Sequence, residues 1–379
     1  MRRIVSLTLG LFALLAIVHG IYWWLAAGEM RQAVESWAED WRAKGYQVTH
    51  GKLSVGGYPL HVQSVLPYPS VQDPGNAWSW QAEGLRLQTK LWDPTRYEMT
   101  IRGDQAATVP INGRPVAMTI TTASSVLFAN FSVTGQFRSG SIHINDLKGS
   151  APDLAATVLA RRLVIELELP DHSSIDHADP AGDVTIIADE LTLPEAYAGP
   201  LGPNMDRVSM RFNALGPLKR GDLRTVLADW RDSGGIVEVP WLRGEWGPLT
   251  VDANGTVTLD ERFRPLAAFE SAFGGLSPTL DALTDAGMIK EKNARIVKLG
   301  LVLLSSTSSS GKPVIKLPLS IQDGQVYLGP VAVASVRPIL LTEGSDVASD
   351  EPPLPALAPV PPPVDEMPLL DEPPVVEWQ

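Results

Sequence analysis

The sequence predicts a mainly β protein of the α+β kind. Long antiparallel strands would form a sandwich or an open-groove β domain with a few short helices, preceded by one transmembrane helix. Three observations predict it. An apolar stretch runs from Ile4 to about Ala27 behind Met1-Arg2-Arg3. From Gln47 onward apolar and polar residues alternate with a period of two, the mark of a strand with one greasy and one solvated face. Helical spacing is confined to short pieces.

The N-terminal stretch is long enough to span a hydrocarbon core of ~30 Å at about 1.5 Å per residue. Tyr22, Trp23 and Trp24 stand at its far end, where an interfacial aromatic belt would lie. Arg2 and Arg3 would hold the start inside, so that the remainder faces outward. A cleaved signal has an apolar core of roughly 7–15 residues and a small-x-small site. This run is longer, and Leu25-Ala26-Ala27 puts Leu in the first small position. The segment 1–27 therefore reads as an uncleaved signal-anchor, with His19 as a tolerated residue inside it. Residues 28–45 continue as a juxtamembrane helix, with Met30, Val34, Trp37 and Trp41 at helical spacing and Gly45 as its stop. Its tryptophans would rest on headgroups or pack on the next domain.

Residues 46–342 read as the β-rich domain. Leu85–Leu87 begins one alternating run, and Val116, Met118 and Ile120 form another. Leu127, Ala129, Phe131 and Val133 make a third. Leu163 to Leu169 alternate against Arg162, Glu166 and Glu168, and Val208 to Ala214 against Arg207, Ser209, Arg211 and Asn213. Leu60, Val62 and, after a phase slip, Val65 suggest a strand beside His61. Leu223, Val226, Leu227 and Trp230 predict a helix. Ser277-Pro278 is expected to cap a second, with Leu280 and Leu283, and Lys290–Ser305 is expected to form a third.

Two turn-like dipeptides have opposite meanings. Leu317–Val331 reads LPLSIQDGQVYLGPV. A tight turn at Asp323-Gly324 opposes Ile321 to Val326 and Leu319 to Leu328, so the apolar sets coincide and a type I′ hairpin follows. In Trp246–Pro265, a two-residue turn at Asn254-Gly255 would oppose Val251 to Thr258. The odd-numbered apolar residues instead favour one strand from Leu249 to Leu259, with a bulge or close approach at Gly255. Leu-Gly-Pro-Leu (215–218), Trp-Gly-Pro-Leu (246–249) and Leu-Gly-Pro-Val (328–331) would mark strand ends, since Pro cannot donate to a ladder.

Residues 343–379 form a Pro-rich tail with nine acidic residues and no Lys or Arg. They account for most of the net charge of −12 and predict an extended, disordered segment. Its Pro361-Pro362-Pro363 run is a linker or a ligand for an aromatic groove. No basic stripe exists, so nucleic acid is not an expected partner. Cysteine is absent, and no nucleophile elbow, phosphate-cradling glycine loop or His-Glu-x-x-His occurs. Asp171, His172, Asp176, His177 and Asp179 are metal-ligand types, but they sit in a polar loop with no helical spacing. The Ser-x-x-Lys match at Ser309–Lys312 has no companion motif. Glu166 and Glu168 take the ordinary solvated face of a strand. Asn130 and Asn254 match the glycosylation pattern.

These readings leave no catalytic residues, no metal and no cofactor to name. Trp78, Trp80, Trp92, Val251 and Val257 are the candidates for an apolar ligand surface, with core packing as their alternative fate. The expectation is a non-enzymatic, membrane-anchored envelope protein. It would be held in the inner membrane with its C-terminal domain in the periplasm, and would bind lipid or another apolar ligand in a β groove. The alternative is a scaffold or assembly factor that contacts envelope proteins through the tail or a sheet edge.

An ordered series of segments carries a resemblance. It runs through the anchor, the helix ending at Gly45, Gly57-Tyr58-Pro59, Gly247-Pro248-Leu249, Asn254-Gly255-Thr256, Leu276–Leu283 with Ala286-Gly287-Met288, and Leu317–Pro330. Over roughly residues 5–340 this order resembles the DUF2125 family of uncharacterised, membrane-anchored alphaproteobacterial proteins. The Gly-Tyr-Pro strand and the long apolar-faced strands are also similar to AsmA-like envelope proteins, whose folds offer greasy grooves to lipids. The resemblance implies no active-site residues.

Overall fold

A computed structural model describes residues 2–339, apart from 112–113, 173, 219–220, 288–289, 292–297, 299–305 and 308–312. The tail 343–379, the Ser309–Lys312 match and most of the helix expected from Lys290 to Ser305 lie outside the described residues.

The chain opens with helix α1 (Arg2–Ala43), which runs unbroken through the two segments expected to be anchor and juxtamembrane helix. At about 1.5 Å per residue it is about 63 Å long. Strands β1 (Gln47–Thr49), β2 (Ser54–Gly56), β3 (His61–Pro67), β4 (Ser70–Gln72), β5 (Ser79–Lys90) and β6 (Asp93–Ile111) follow. Then come β7 (Arg114–Thr121), β8 (Ser124–Phe131), β9 (Phe137–Ala151), β10 (Ala156–Glu168) and β11 (Pro180–Thr192). The short helix α2 (Glu195–Ala198), β12 (Asn204–Leu215), α3 (Leu223–Asp232), β13 (Ile236–Trp246), β14 (Leu249–Leu259), β15 (Pro265–Gly274) and α4 (Leu276–Asp285) come next. The described chain closes with β16 (Ser306–Thr307), β17 (Pro313–Gln322), β18 (Gln325–Leu328) and β19 (Val331–Ser335).

Among the described residues every strand belongs to one antiparallel sheet, ordered almost as in the sequence. The strands thus join one continuous sheet and not two separate ones. β7 and β8 both lie between β6 and β9, end to end, and act as one strand interrupted at residues 122–123. Short turns between sequence neighbours favour this meander, because antiparallel partners need no crossover.

The parity reading holds in both test segments. Leu249–Leu259 is one uninterrupted strand, and β13 bulges between Val239 and Leu242 opposite it. A Cβ on Gly255 would lie 2.2 Å from the Ala268 carbonyl oxygen, so the strands approach as closely as only glycine allows. Asp323 and Gly324 both have positive φ, 51° and 74°, and the hairpin opposes Ile321 to Val326 and Leu319 to Leu328. That is the backbone a type I′ turn requires. Gly-Pro forms the tip of two further hairpins, joining Trp246 to Leu249 and Leu328 to Val331.

Some local expectations need correction. β3 buries Val62, Ser64 and Leu66 with no phase slip, while Leu60 sits exposed in the preceding turn. β8 ends at Phe131, so Val133 lies in the turn closed by Ser132 and Gln136. Helix α4 starts at Leu276, one residue before Ser277, and its N-cap is Gly275 in the left-handed region (φ 67°). The helix at Leu223–Asp232 is capped instead by Asp222, whose carboxylate accepts from the Thr225 N–H.

The turn between β14 and β15 is tied by Asp260. Its carboxylate accepts from the Arg262 N–H (2.8 Å), the Arg264 N–H (2.8 Å) and Arg264 Nε (2.6 Å). Arg264 also reaches Asp323 Oδ1 at 3.0 Å, joining two turns. Burial raises the Asp260 pKa, but the hydrogen bonds from Arg264 and Arg262 outweigh it and hold the carboxyl below its ordinary value. A depressed folded pKa contributes stability above the unfolded pKa of about 3.9, which is lost as pH falls through the folded value. Thermal melts should thus show the wild type losing stability relative to Asp260→Asn between about pH 5 and pH 2. Parallel curves for the two proteins would contradict this role.

Candidate functional site

The pairing register builds one apolar surface across the sheet. Paired residues share a face. Leu87 pairs with Met99, Met99 with Leu127, Leu127 with Ile142, Ile142 with Ile165 and Ile165 with Ile186. The row continues from Ile186 to Met210, Leu242, Ala253, Ser271 and Leu317. It crosses eleven strands, from β5 to β17, which is about 50 Å at a strand spacing of ~4.8 Å. Ser271 is the only polar member after Leu87, and its hydroxyl donates to the Leu317 carbonyl at 2.6 Å. Flanking rows repeat the pattern, with Leu167–Val184–Phe212 on one side and Leu163–Ala188–Val208 on the other. Val237–Val257–Ala267–Ile321 extends it toward the C-terminal strands.

The opposite face is largely polar, with Val164 buried beside Ile187, and carries cross-strand ion pairs. Arg207 and Asp189 are directly opposed at 2.8 Å, and Arg211 meets Asp183 at 3.0 Å. Arg243 faces Asp252 at 3.5 Å. Glu166 and Glu168 lie on this face and are exposed, as a solvated strand position demands. A shallow depression of about 690 Å³ here is bordered by Trp241, Arg243, Asp252, Glu270 and Lys316, a mixed-charge surface.

No second sheet lies over the apolar face among the described residues. Most of its side chains are half-buried by one another, and few are fully buried. Helix α3 closes one rim through Trp230, which packs with Leu259 and Phe263 and donates its indole N–H to the Leu215 carbonyl at 2.7 Å. Next to this rim lies an apolar hollow of about 450 Å³. Its walls include Leu167, Val184, Phe212, Ala214, Val237 and Val257.

Of the sequence candidates, Val257 lines this hollow, and Val251 stands on the same face between Gly244 and Phe273. The three tryptophans are not among its lining residues. Trp78 is the end of an aromatic relay from Trp37 through Trp41 and Tyr46, with neighbouring centroids 4.6–5.9 Å apart. That relay docks the C-terminal half of α1 on the domain, so the juxtamembrane tryptophans meet protein. Trp80 donates to Gln105 Oε1 at 3.0 Å and packs between Val71 and Ala107. Trp92 is 66% exposed, at the β5–β6 turn. Leu167, Val184 and Phe212 were the members sequence reasoning missed; the alternation around Leu167 and Phe212 was visible, but which strands would stand beside Val257 was not.

The Asp171–Asp179 segment is a self-bonded loop. Asp179 accepts from the Ile175 and Asp176 N–H groups, both at 2.9 Å, which hold its carboxyl below the ordinary range. Among the described residues, no group of three His, Asp or Glu side chains is placed to hold a metal ion.

His19 has a partner that sequence alone did not reveal: its Nε2 lies 2.7 Å from the Pro59 carbonyl oxygen. Around it, α1 meets the sheet. Ala27 and Met30 are buried with Val62 and Leu91, and Trp23 and Tyr97 pack against them. The apolar face thus begins beside the helix long and apolar enough to span a membrane.

No curated protein and no solved structure matches the chain. A family model does match, over residues 23–337, which take in the C-terminal half of α1 and the sheet from its first strand through its last. The chain belongs to the bacterial family described as uncharacterized protein conserved in bacteria (DUF2125).

Proposed function

We propose that this is a non-enzymatic envelope protein that holds lipid or a similar apolar ligand on the open face of its sheet. The observation that carries the reading is the row of eleven strands, apolar at every position but Ser271, with no second sheet over it among the described residues. Soluble monomers rarely expose contiguous apolar surfaces larger than a few hundred Å², and larger ones mark binding sites. An acyl chain is the natural occupant, because it needs length and no hydrogen bonds. Each methylene that leaves water contributes about 0.8 kcal/mol.

In this reading α1 anchors the protein in the inner membrane, with Arg2 and Arg3 inside and the sheet in the periplasm. An intact-mass measurement on protein from native membranes should retain residues 1–27. Loss of the segment would mean a cleaved signal.

Lipid retention tests the function. The full chain, purified in detergent and stripped of loosely held lipid, should keep a discrete lipid adduct in native mass spectrometry. A bare mass, unchanged after incubation with lipid, would shift the reading to a scaffold acting through residues 343–379 or a sheet edge.

A further inference from the structure

We infer that two turns of the β domain, Gly57–Leu60 before β3 and Leu91–Trp92 between β5 and β6, are seated in the outer interface of the bilayer beside α1. This rests on the reading that α1 spans the membrane, and does not depend on lipid in the groove.

The depth follows from counting. About 20 residues at ~1.5 Å cross a ~30 Å hydrocarbon core. Counted from Arg3, the far boundary falls at Trp23. Three contacts pin the turns to that level. Trp23 Nε1 donates to the His61 carbonyl at 2.7 Å, the Tyr22 hydroxyl donates to the Leu91 carbonyl at 3.3 Å, and His19 Nε2 meets the Pro59 carbonyl oxygen at 2.7 Å. His19 lies four residues before Trp23, about 6 Å deeper. The Leu91 N–H donates to the Leu60 carbonyl at 3.3 Å, so the two turns form one unit.

The side chains suit that depth. Tyr58 rests its ring against His19 and Trp23, with centroids 6.0 and 5.6 Å away, yet remains 57% exposed. Leu60 is 52% and Trp92 66% exposed. Exposed Leu, Tyr and Trp on two joined turns would be a liability in water. At a bilayer interface they match the aromatic belt, with an apolar body in the acyl boundary and a polar tip at the headgroups. Directly above them Val62 is buried under α1, and Leu87 and Met99 beside it begin the apolar face. The face would therefore open at the membrane surface.

The cysteine-free chain makes the test simple. Tyr58→Cys, Leu60→Cys and Trp92→Cys are each labelled with an environment-sensitive fluorophore in the full chain, reconstituted in phosphatidylcholine vesicles. Phe12→Cys marks the span, and Tyr197→Cys in α2, 70% exposed at the far end of the strands, marks water. The expected result is quenching of the 58, 60 and 92 probes by spin-labelled lipid, with iodide quenching several-fold weaker than at 197. Circular dichroism confirms the fold of each variant, and the three independent positions guard against loss of one. If the three probes behave like 197 while 12 stays lipid-quenched, the helix spans but the turns are not seated, and the inference fails. If 12 is also open to iodide, the spanning reading itself is wrong.

Discussion

Val257→Glu is expected to strip bound lipid from the protein and leave the sheet folded. Val257 is half-buried, pairs with Val237 and Ala267, and lines the apolar hollow with Val184 and Phe212. If the hollow is open when empty, the carboxylate keeps its water and the cost to folding is small. A ligand chain must then displace that water without offering a hydrogen bond, which leaves an unpaired charge against hydrocarbon. A tenfold or greater fall in retained lipid, about 1.4 kcal/mol or more, is the expected outcome. The melting temperature should move by only a few degrees. Val184→Glu, three strands away on the same hollow, should behave alike. If both variants unfold, these positions are closed core, because burying an uncompensated carboxylate costs several kcal/mol.

Gly255→Ala is expected to destabilise the domain by about 3 kcal/mol, large for the addition of one methyl group. The new Cβ would meet the Ala268 carbonyl oxygen at 2.2 Å and the Phe269 Cα at 2.8 Å, both backbone atoms that cannot swing aside. β14 and β15 would have to part where ten residue pairs now run without a shift. Equilibrium denaturation reads the effect as a lower midpoint with an unchanged slope. Ala253→Gly, one turn of the pleat away, removes a buried methyl without any clash and should cost about 1 kcal/mol. Equal costs for the two would show that the strands do not approach so closely at Gly255.

These two residues also show what the sequence could and could not reveal. The phase of Leu249, Val251, Ala253, Val257 and Leu259 was enough to read one strand through Asn254-Gly255, and the same argument assigned the Asp323-Gly324 hairpin. Period-2 alternation is a local property and survives translation into structure. β6 and β9 were harder. In β6 the ladder to β5 shifts register between Ala82 and Gly84, beside Gly103, and breaks the alternation. In β9 the large apolar residues Phe137, Ile142, Ile144 and Leu147 are irregularly spaced among Gly, Ser, His and Asn.

The cover of the apolar face was not legible at all. Alternation says that one face is greasy. Whether a second sheet, a helix or a ligand meets it depends on contacts distant in sequence, and a sandwich and an open sheet share the same local pattern. The tryptophans come apart for a related reason. Trp78 and Trp80 are large and close in sequence to Trp92, but strand direction sends Trp78 to the far end of α1, while Trp92 stays at the turn beside Leu91. The helix–sheet junction through His19, Trp23, Pro59 and His61 spans about 40 residues of chain, and no short motif announces it.

The central claim is that the apolar face is open and carries lipid in the cell. A photo-crosslinking amino acid at Phe212, activated in living cells, tests it most directly, with Glu270 on the polar face as the control. The account predicts a lipid adduct at 212 and none at 270. A crosslink from 212 to another segment of the same chain, with no lipid adduct, would show that the face is covered by protein and would contradict the account.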